Sequence, residues 1–134
     1  MRISRSTGYA LLAVNYIAKQ HKEQPIILSQ SISKEYDIPL EYLLKILQQL
    51  VRADVLHSKR GPRGGFNLAK PAKKITMLEI IEAVEGPMNN QLNLVEMAHG
   101  EKFGVKAGQA YEKAIAQVKN VFEKTKMSYL MGEK

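Results

Sequence analysis

The chain has 134 residues, 45% of them apolar and 25% charged, the balance and length of one globular domain with an extra element or two, which excludes a disordered or fibrous chain. It has no cysteine, which removes disulfides, thiolate metal sites, cysteine-ligated clusters and cysteine nucleophiles together and agrees with a cytoplasmic location. The formal charge of +7 is uneven, with eleven Lys and Arg against five Asp and Glu in residues 1–70 and nine against eight in residues 71–134; a basic half suggests a polyanion partner, a few spare lysines being the plainer alternative.

Tyr9, Leu12, Ala13, Tyr16 and Ile17 recur at helical spacing and predict a helix from about Ser6 to Gln20, capped by Ser4 or Ser6. Its uncharged run, Ser6 to Ala18, is shorter than the roughly 18 residues of a membrane span. It also makes a poor secretory signal, because Asn15 interrupts it and no cleavage site follows. No membrane partner is expected. Ser29 can cap a short helix that turns Ile32 and Tyr36 inward and stops at Asp37, a residue that tolerates the left-handed conformation. Pro39 then suits the first turn of a third helix, whose buried stripe is Leu43, Ile46, Leu47 and Leu50 and whose stop is Ala53-Asp54.

From here the period changes to two. Val55–Lys59 and Phe66–Leu68 read as strands, joined by the hairpin loop Arg60-Gly61-Pro62-Arg63-Gly64-Gly65. Thr76 and Glu79 form a capping box for a helix closed by Gly86-Pro87. Residues 88–106 are polar and irregular, with at most a helical turn around Leu94 to Ala98. A final helix carries Tyr111, Ala114, Ile115, Val118, Val121, Phe122, Thr125 and Tyr129 on one broad stripe. The fold class is therefore mainly α with a small β-hairpin. It divides into a winged helix-turn-helix over 1–87, a loop over 88–106, and a long C-terminal helix with its tail over 107–134.

Two short helices followed by a ribbon with a basic tip suit double-stranded DNA, because the major groove admits one helix and a hairpin beside it can lay cations along phosphates. The third helix leaves Glu41, Leu44, Lys45, Gln48 and Arg52 outside its core. Leu40, Glu41, Tyr42 and Lys45 lie in the turns that enter a groove, Gln48 can bond base edges or phosphates, and Lys45 and Arg52 can pair with phosphates. A solvated helix face is the plain reading of the same stripe. The wing shifts the balance: Lys59, Arg60 and Arg63 cluster among Gly61, Pro62, Gly64 and Gly65. A turn accounts for one or two glycines but not for three cations, and the Lys-Ser/Thr that a phosphate-binding P-loop needs is absent.

Tyr9-Ala10, the run from Ile38-Pro39 through Tyr42-Leu43 and Lys45-Ile46-Leu47 to Leu50, and above all Arg60-Gly61-Pro62-Arg63-Gly64-Gly65-Phe66 with Leu68-Ala69 resemble the Rrf2 family of bacterial transcription regulators. Its members include an iron–sulfur regulator, a nitric-oxide sensor and a cysteine-metabolism repressor. The resemblance covers nearly the whole chain, including Ala83-Val84-Glu85-Gly86-Pro87 and the C-terminal helix. It implies a sequence-specific DNA-binding regulator, a repressor, acting as a homodimer on a pseudo-palindromic operator. The DNA-binding residues are then Ser29, Leu40, Glu41, Tyr42, Lys45, Gln48, Arg52 and the wing from Lys59 to Gly64. The interface is Tyr111, Ala114, Ile115, Val118, Val121 and Phe122 on crossing C-terminal helices, so that the resemblance makes 107–134 a dimerisation helix with its tail.

This chain departs from the family pattern in three places. Thr7-Gly8 stands where many relatives have glycine and a basic residue, and Asp54 stands where a helix-ending glycine is usual. The three thiolates that relatives place in the segment corresponding to about Asn90–Val105 are missing, with Val105 near the third and Gly108 where a relative offers histidine. His99 is alone in that stretch. No cofactor or metal is therefore expected, and a small-molecule effector or a protein co-regulator remains as the source of a signal. An enzyme has no footing, since Asp37 and Asp54 serve as helix stops and His21, His57 and His99 are far apart. The remaining alternative is a winged-helix adaptor that meets another protein instead of reading DNA.

Overall fold

A computed structural model describes residues 3–21, 23–61, 64–89 and 93–133. Helix α1 (Arg5–Gln20) begins at Ser4, whose hydroxyl accepts the Thr7 amide at 3.2 Å. Its buried face is Thr7, Ala10, Ala13, Val14 and Ile17, rotated from the expected stripe so that Leu12 lies in solvent while Tyr9 and Tyr16 flank the core. Small residues face inward because α1 lies in the middle of the domain, packed against three other helices and the hairpin.

Helix α2 (Ser29–Tyr36) starts one residue earlier than a Ser29 cap requires. Ile27 is held extended by two backbone hydrogen bonds with Phe66, so Leu28 becomes the N-cap and Ser29 the first helical residue, with no capping hydrogen bond. Asp37 stops α2 at φ 53° and Asp54 follows α3 (Leu40–Arg52) at φ 61°, both in the left-handed region that aspartate tolerates. Pro39 is the residue before α3 and not part of its first turn. Leu43, Ile46, Leu47 and Leu50 are all buried, as their spacing requires.

Strands β1 (Leu56–Lys59) and β2 (Gly65–Leu68) pair antiparallel, Leu56 with Leu68 and Lys59 with Gly65. The Ile27 bridge adds a third short rung to β2. The Thr76–Glu79 capping box is complete, each side chain bonded to the other residue's amide, and it opens α4 (Met77–Glu85), which Gly86 closes at φ 85°. Together α1–α4 and the hairpin enclose one apolar core.

Beyond it, α5 (Leu94–Met97) folds back on α6 (Lys102–Lys124). This helix begins at Lys102, ahead of the expected 107, with Glu101 at the N-cap position directly after the α5 turn and no side-chain capping hydrogen bond. A Cβ on Gly104 would stand 2.6 Å from the Leu94 carbonyl oxygen and 2.7 Å from the Ala98 Cβ, so only glycine allows the two helices to touch here. The stripe expected on one continuous helix breaks at Thr125, which leaves helical geometry. Met77 donates to the Thr125 carbonyl at 2.8 Å and Met127 donates to Ile75 at 2.9 Å. The tail thereby returns to the core, where α7 (Met127–Leu130) buries Met127 and leaves Tyr129 exposed.

Candidate nucleic-acid interface

Because four inward leucines and isoleucines fix its rotation, α3 turns Glu41, Leu44, Lys45, Gln48 and Arg52 outward, all exposed, with Leu40 half-buried at its start. Tyr42 is 44% exposed, yet it is not free. Its hydroxyl and that of Ser6 are hydrogen-bonded to each other, and its ring meets Tyr9 edge-on with centroids 5.8 Å apart. The phenol thus fastens α3 to the start of α1 while keeping one edge in solvent. Ser29, the first residue of α2, is nearly buried, its hydroxyl 3.4 Å from Gln30 Oε1.

On the hairpin, Lys59, Arg60 and Gly61 are exposed; Pro62 and Arg63 lie outside the described residues. A turn by itself requires one or two glycines, and the fold accounts for Gly61, Gly64 and Gly65 separately. Gly61 has φ 107°. A Cβ on Gly64 would lie 2.2 Å from the Lys59 carbonyl oxygen, and one on Gly65 would lie 2.4 Å from the Ile27 carbonyl oxygen. The cations, not the glycines, are what the hairpin's own folding leaves unexplained.

Sequence reasoning missed a polar cluster where α4 ends against α1. The buried Thr7 hydroxyl donates to Glu85 Oε1 at 2.6 Å, and the Ser4 hydroxyl donates to the same oxygen. These hydroxyls, Ser4 before Thr7, hold the Glu85 carboxyl below its ordinary value, against a smaller opposing effect of burial. Nothing local signals a contact between residues 78 positions apart. It supplies the reason for Thr7, whose place in α1 departs from the family pattern.

The apolar stripe of α6 divides into two faces. Ile115, Val118 and Phe122 are half-buried toward α4 and line a cavity of about 410 Å³ that reaches Glu85 and Thr7. About a quarter-turn away, Phe103, Ala110 and Val121 face solvent, with Phe103 at 73% and Val121 at 60% exposure; Tyr111 lies on the cavity side and the exposed Ala114 at its edge, both lining the cavity.

Residues 3–133 match the Rrf2 family profile, described as an iron-dependent transcriptional regulator. The chain is 39% identical over 90 residues to the HTH-type transcriptional regulator IscR of Cereibacter sphaeroides, covering 66% of this chain and 58% of that one. It spans a little over half the length of the curated relatives it matches. Among solved structures, CymR, the global cysteine regulator of B. subtilis, superposes with a TM-score of 0.82 at 26% identity over 98% of this chain and 97% of that one. IscR of T. potens gives 0.73 at 20% identity, over 98% and 87%.

The residues present do not fit an iron–sulfur cluster. No thiolate exists in the sequence, and the described residues bring no three His, Asp or Glu side chains together. His99 is an exposed residue at φ 55° in the turn after α5, Glu96 accepts from Asn93 within α5's first turn, and Glu101 is the N-cap of α6.

Proposed function

Because the chain belongs to the Rrf2 family of transcriptional regulators, we propose that it is a sequence-specific DNA-binding regulator, a repressor, that works as a homodimer on a pseudo-palindromic operator without an iron–sulfur cluster. The observation that carries this reading is the exposed face of α3, with Lys45, Gln48 and Arg52, beside a hairpin that exposes Lys59 and Arg60. Gln48 offers an amide to base edges, while the four exposed cations can pair with phosphates. Tyr42 sets the angle of α3 through Ser6 and Tyr9, and its exposed edge is available to a base.

The homodimer rests on α6. Ala107, Ala110, Ala114, Gln117 and Val121 alternate by three and four residues along its outer face, the spacing of a two-helix seam, and alanine lets two helices approach closely. Phe103, Ala110, Ala114, Gln117 and Val121 are exposed and Ala107 is half-buried, whereas Ile115, Val118 and Phe122 already turn toward α4.

A salt titration of duplex binding tests the core of this reading. If Lys45, Arg52, Lys59 and Arg60 of both protomers neutralise about eight phosphates, the logarithm of the binding constant falls with the logarithm of salt at a slope of about −7. Binding that is indifferent to salt overturns it and favours a winged helix that meets another protein.

A further inference from the structure

The cavity between α6 and the ends of α1 and α4 has the chemistry of a ligand site, and its occupant would act on the DNA-binding reading above, on which this regulatory role rests. Its walls are mostly apolar, with Ile81, Met88, Val118 and Phe122, while Asn89 and Tyr111 are polar members. At one end stand Glu85 and Thr7. A volume of about 410 Å³ falls in the range of small-molecule sites, which pair an apolar lining with a few placed polar groups. We propose that this cavity binds a small amphipathic cation, a primary amine with an apolar body, whose ammonium meets the Glu85 carboxylate while its body fills the space against α6.

Charge selects this class. An anion would be repelled by the exposed Glu85 carboxylate, and a neutral ligand would gain no charge-assisted contact with it. The three donors of an ammonium compete with the Ser4 and Thr7 hydroxyls for the Glu85 oxygens, of which Oε1 accepts from both.

Glu85 also gives the site a route to DNA. The same carboxylate lines a second, smaller notch on the other side, together with Ser6, Tyr42 and Lys45. Drawing Glu85 into the cavity loosens its hold on Ser4, the cap of α1, and on Thr7, one residue from the Ser6 hydroxyl that secures Tyr42. The occupied protein therefore holds α3 less firmly and binds DNA more weakly.

Calorimetry on the full chain, without DNA, uses hexylammonium, hexanol and hexanoate as probes. Hexylammonium should saturate one site per chain and bind at least about tenfold more tightly than either of the others, the scale of one charge-assisted hydrogen bond. Glu85→Gln should remove that preference, and Met88→Trp, which places a large side chain in the half-buried lining, should remove binding of all three. Hexylammonium should also lower affinity for duplex DNA in the wild type and not in Met88→Trp. Equal affinity for the three probes, no saturable binding because a second copy fills the space, or binding unchanged in both variants overturns the proposal. Duplex binding by the unliganded wild type is measured separately, so failure of the DNA reading is distinguishable from failure of the site.

Discussion

Replacing Gly65 by alanine tests whether the hairpin is positioned by its close approach to the segment before α2. The new methyl would stand 2.4 Å from the Ile27 carbonyl oxygen, 2.8 Å from Ile26 Cγ2 and 2.9 Å from the Ile27 carbonyl carbon, and two of those atoms are backbone that a rotamer change cannot move. Relief requires β2 to withdraw, which breaks the two 2.8 Å hydrogen bonds between Ile27 and Phe66. Two backbone hydrogen bonds at about 1 kcal/mol each, with about 1 kcal/mol for partly exposing Phe66, give a loss of about 3 kcal/mol. In a domain of this size that lowers Tm by roughly 10 °C. Gly8→Ala is the matched control, since a Cβ there has nothing within 4 Å and alanine gains about 0.5–1 kcal/mol inside a helix. Urea denaturation of both variants reads the difference directly. A Gly65→Ala protein as stable as Gly8→Ala would refute the argument that β2 is seated on Ile27.

Arg60→Ala should weaken binding to all duplexes by about 1–2 kcal/mol and reduce the salt slope, whereas Gln48→Ala should change the preferred sequence; competition between cognate and scrambled duplexes separates the two effects. Val121→Glu places a charge on the proposed two-helix seam and should convert the dimer to a monomer in sedimentation equilibrium, so a wild type that sediments as a monomer at micromolar concentration removes the basis of that prediction. Because the Glu85 carboxyl is held below its ordinary value of 4.5, its contribution to stability is fully present above that value and is lost as pH falls through the lower folded-state value. The effect is small for so exposed a group, and Glu85→Gln should flatten the stability profile in that acid window, as followed by thermal melts. Anaerobically purified protein should be colourless, with DNA binding indifferent to air, nitric oxide and iron chelators; stoichiometric iron and sulfide would contradict this.

Local chemistry settled the elements whose signals lie within a few residues. Asp37 and Asp54 end their helices because aspartate accepts positive φ, and Thr76 and Glu79 cap α4 because each side chain reaches the other's amide one turn away. The buried stripe of α3 follows from its period, and so does the outward placement of Glu41, Lys45, Gln48 and Arg52. The basic hairpin was equally legible, although the reason for its glycines was not, since Gly65 answers to Ile27 and not to the turn. Tertiary packing decided the rest. Tyr9 and Leu12 matched a helical period as well as Ala10 and Val14 do, and only the helices crowding α1 select the smaller residues for its inner face. The C-terminal stripe continues through Thr125 on paper. In the fold, hydrogen bonds from Met77 and to Ile75 end α6 there and bury Met127. The locks on Tyr42 and Glu85 join residues 36 and 78 positions apart, and such pairings exist only once the helices have assembled, because a hydroxyl carries no local record of the partner it will meet.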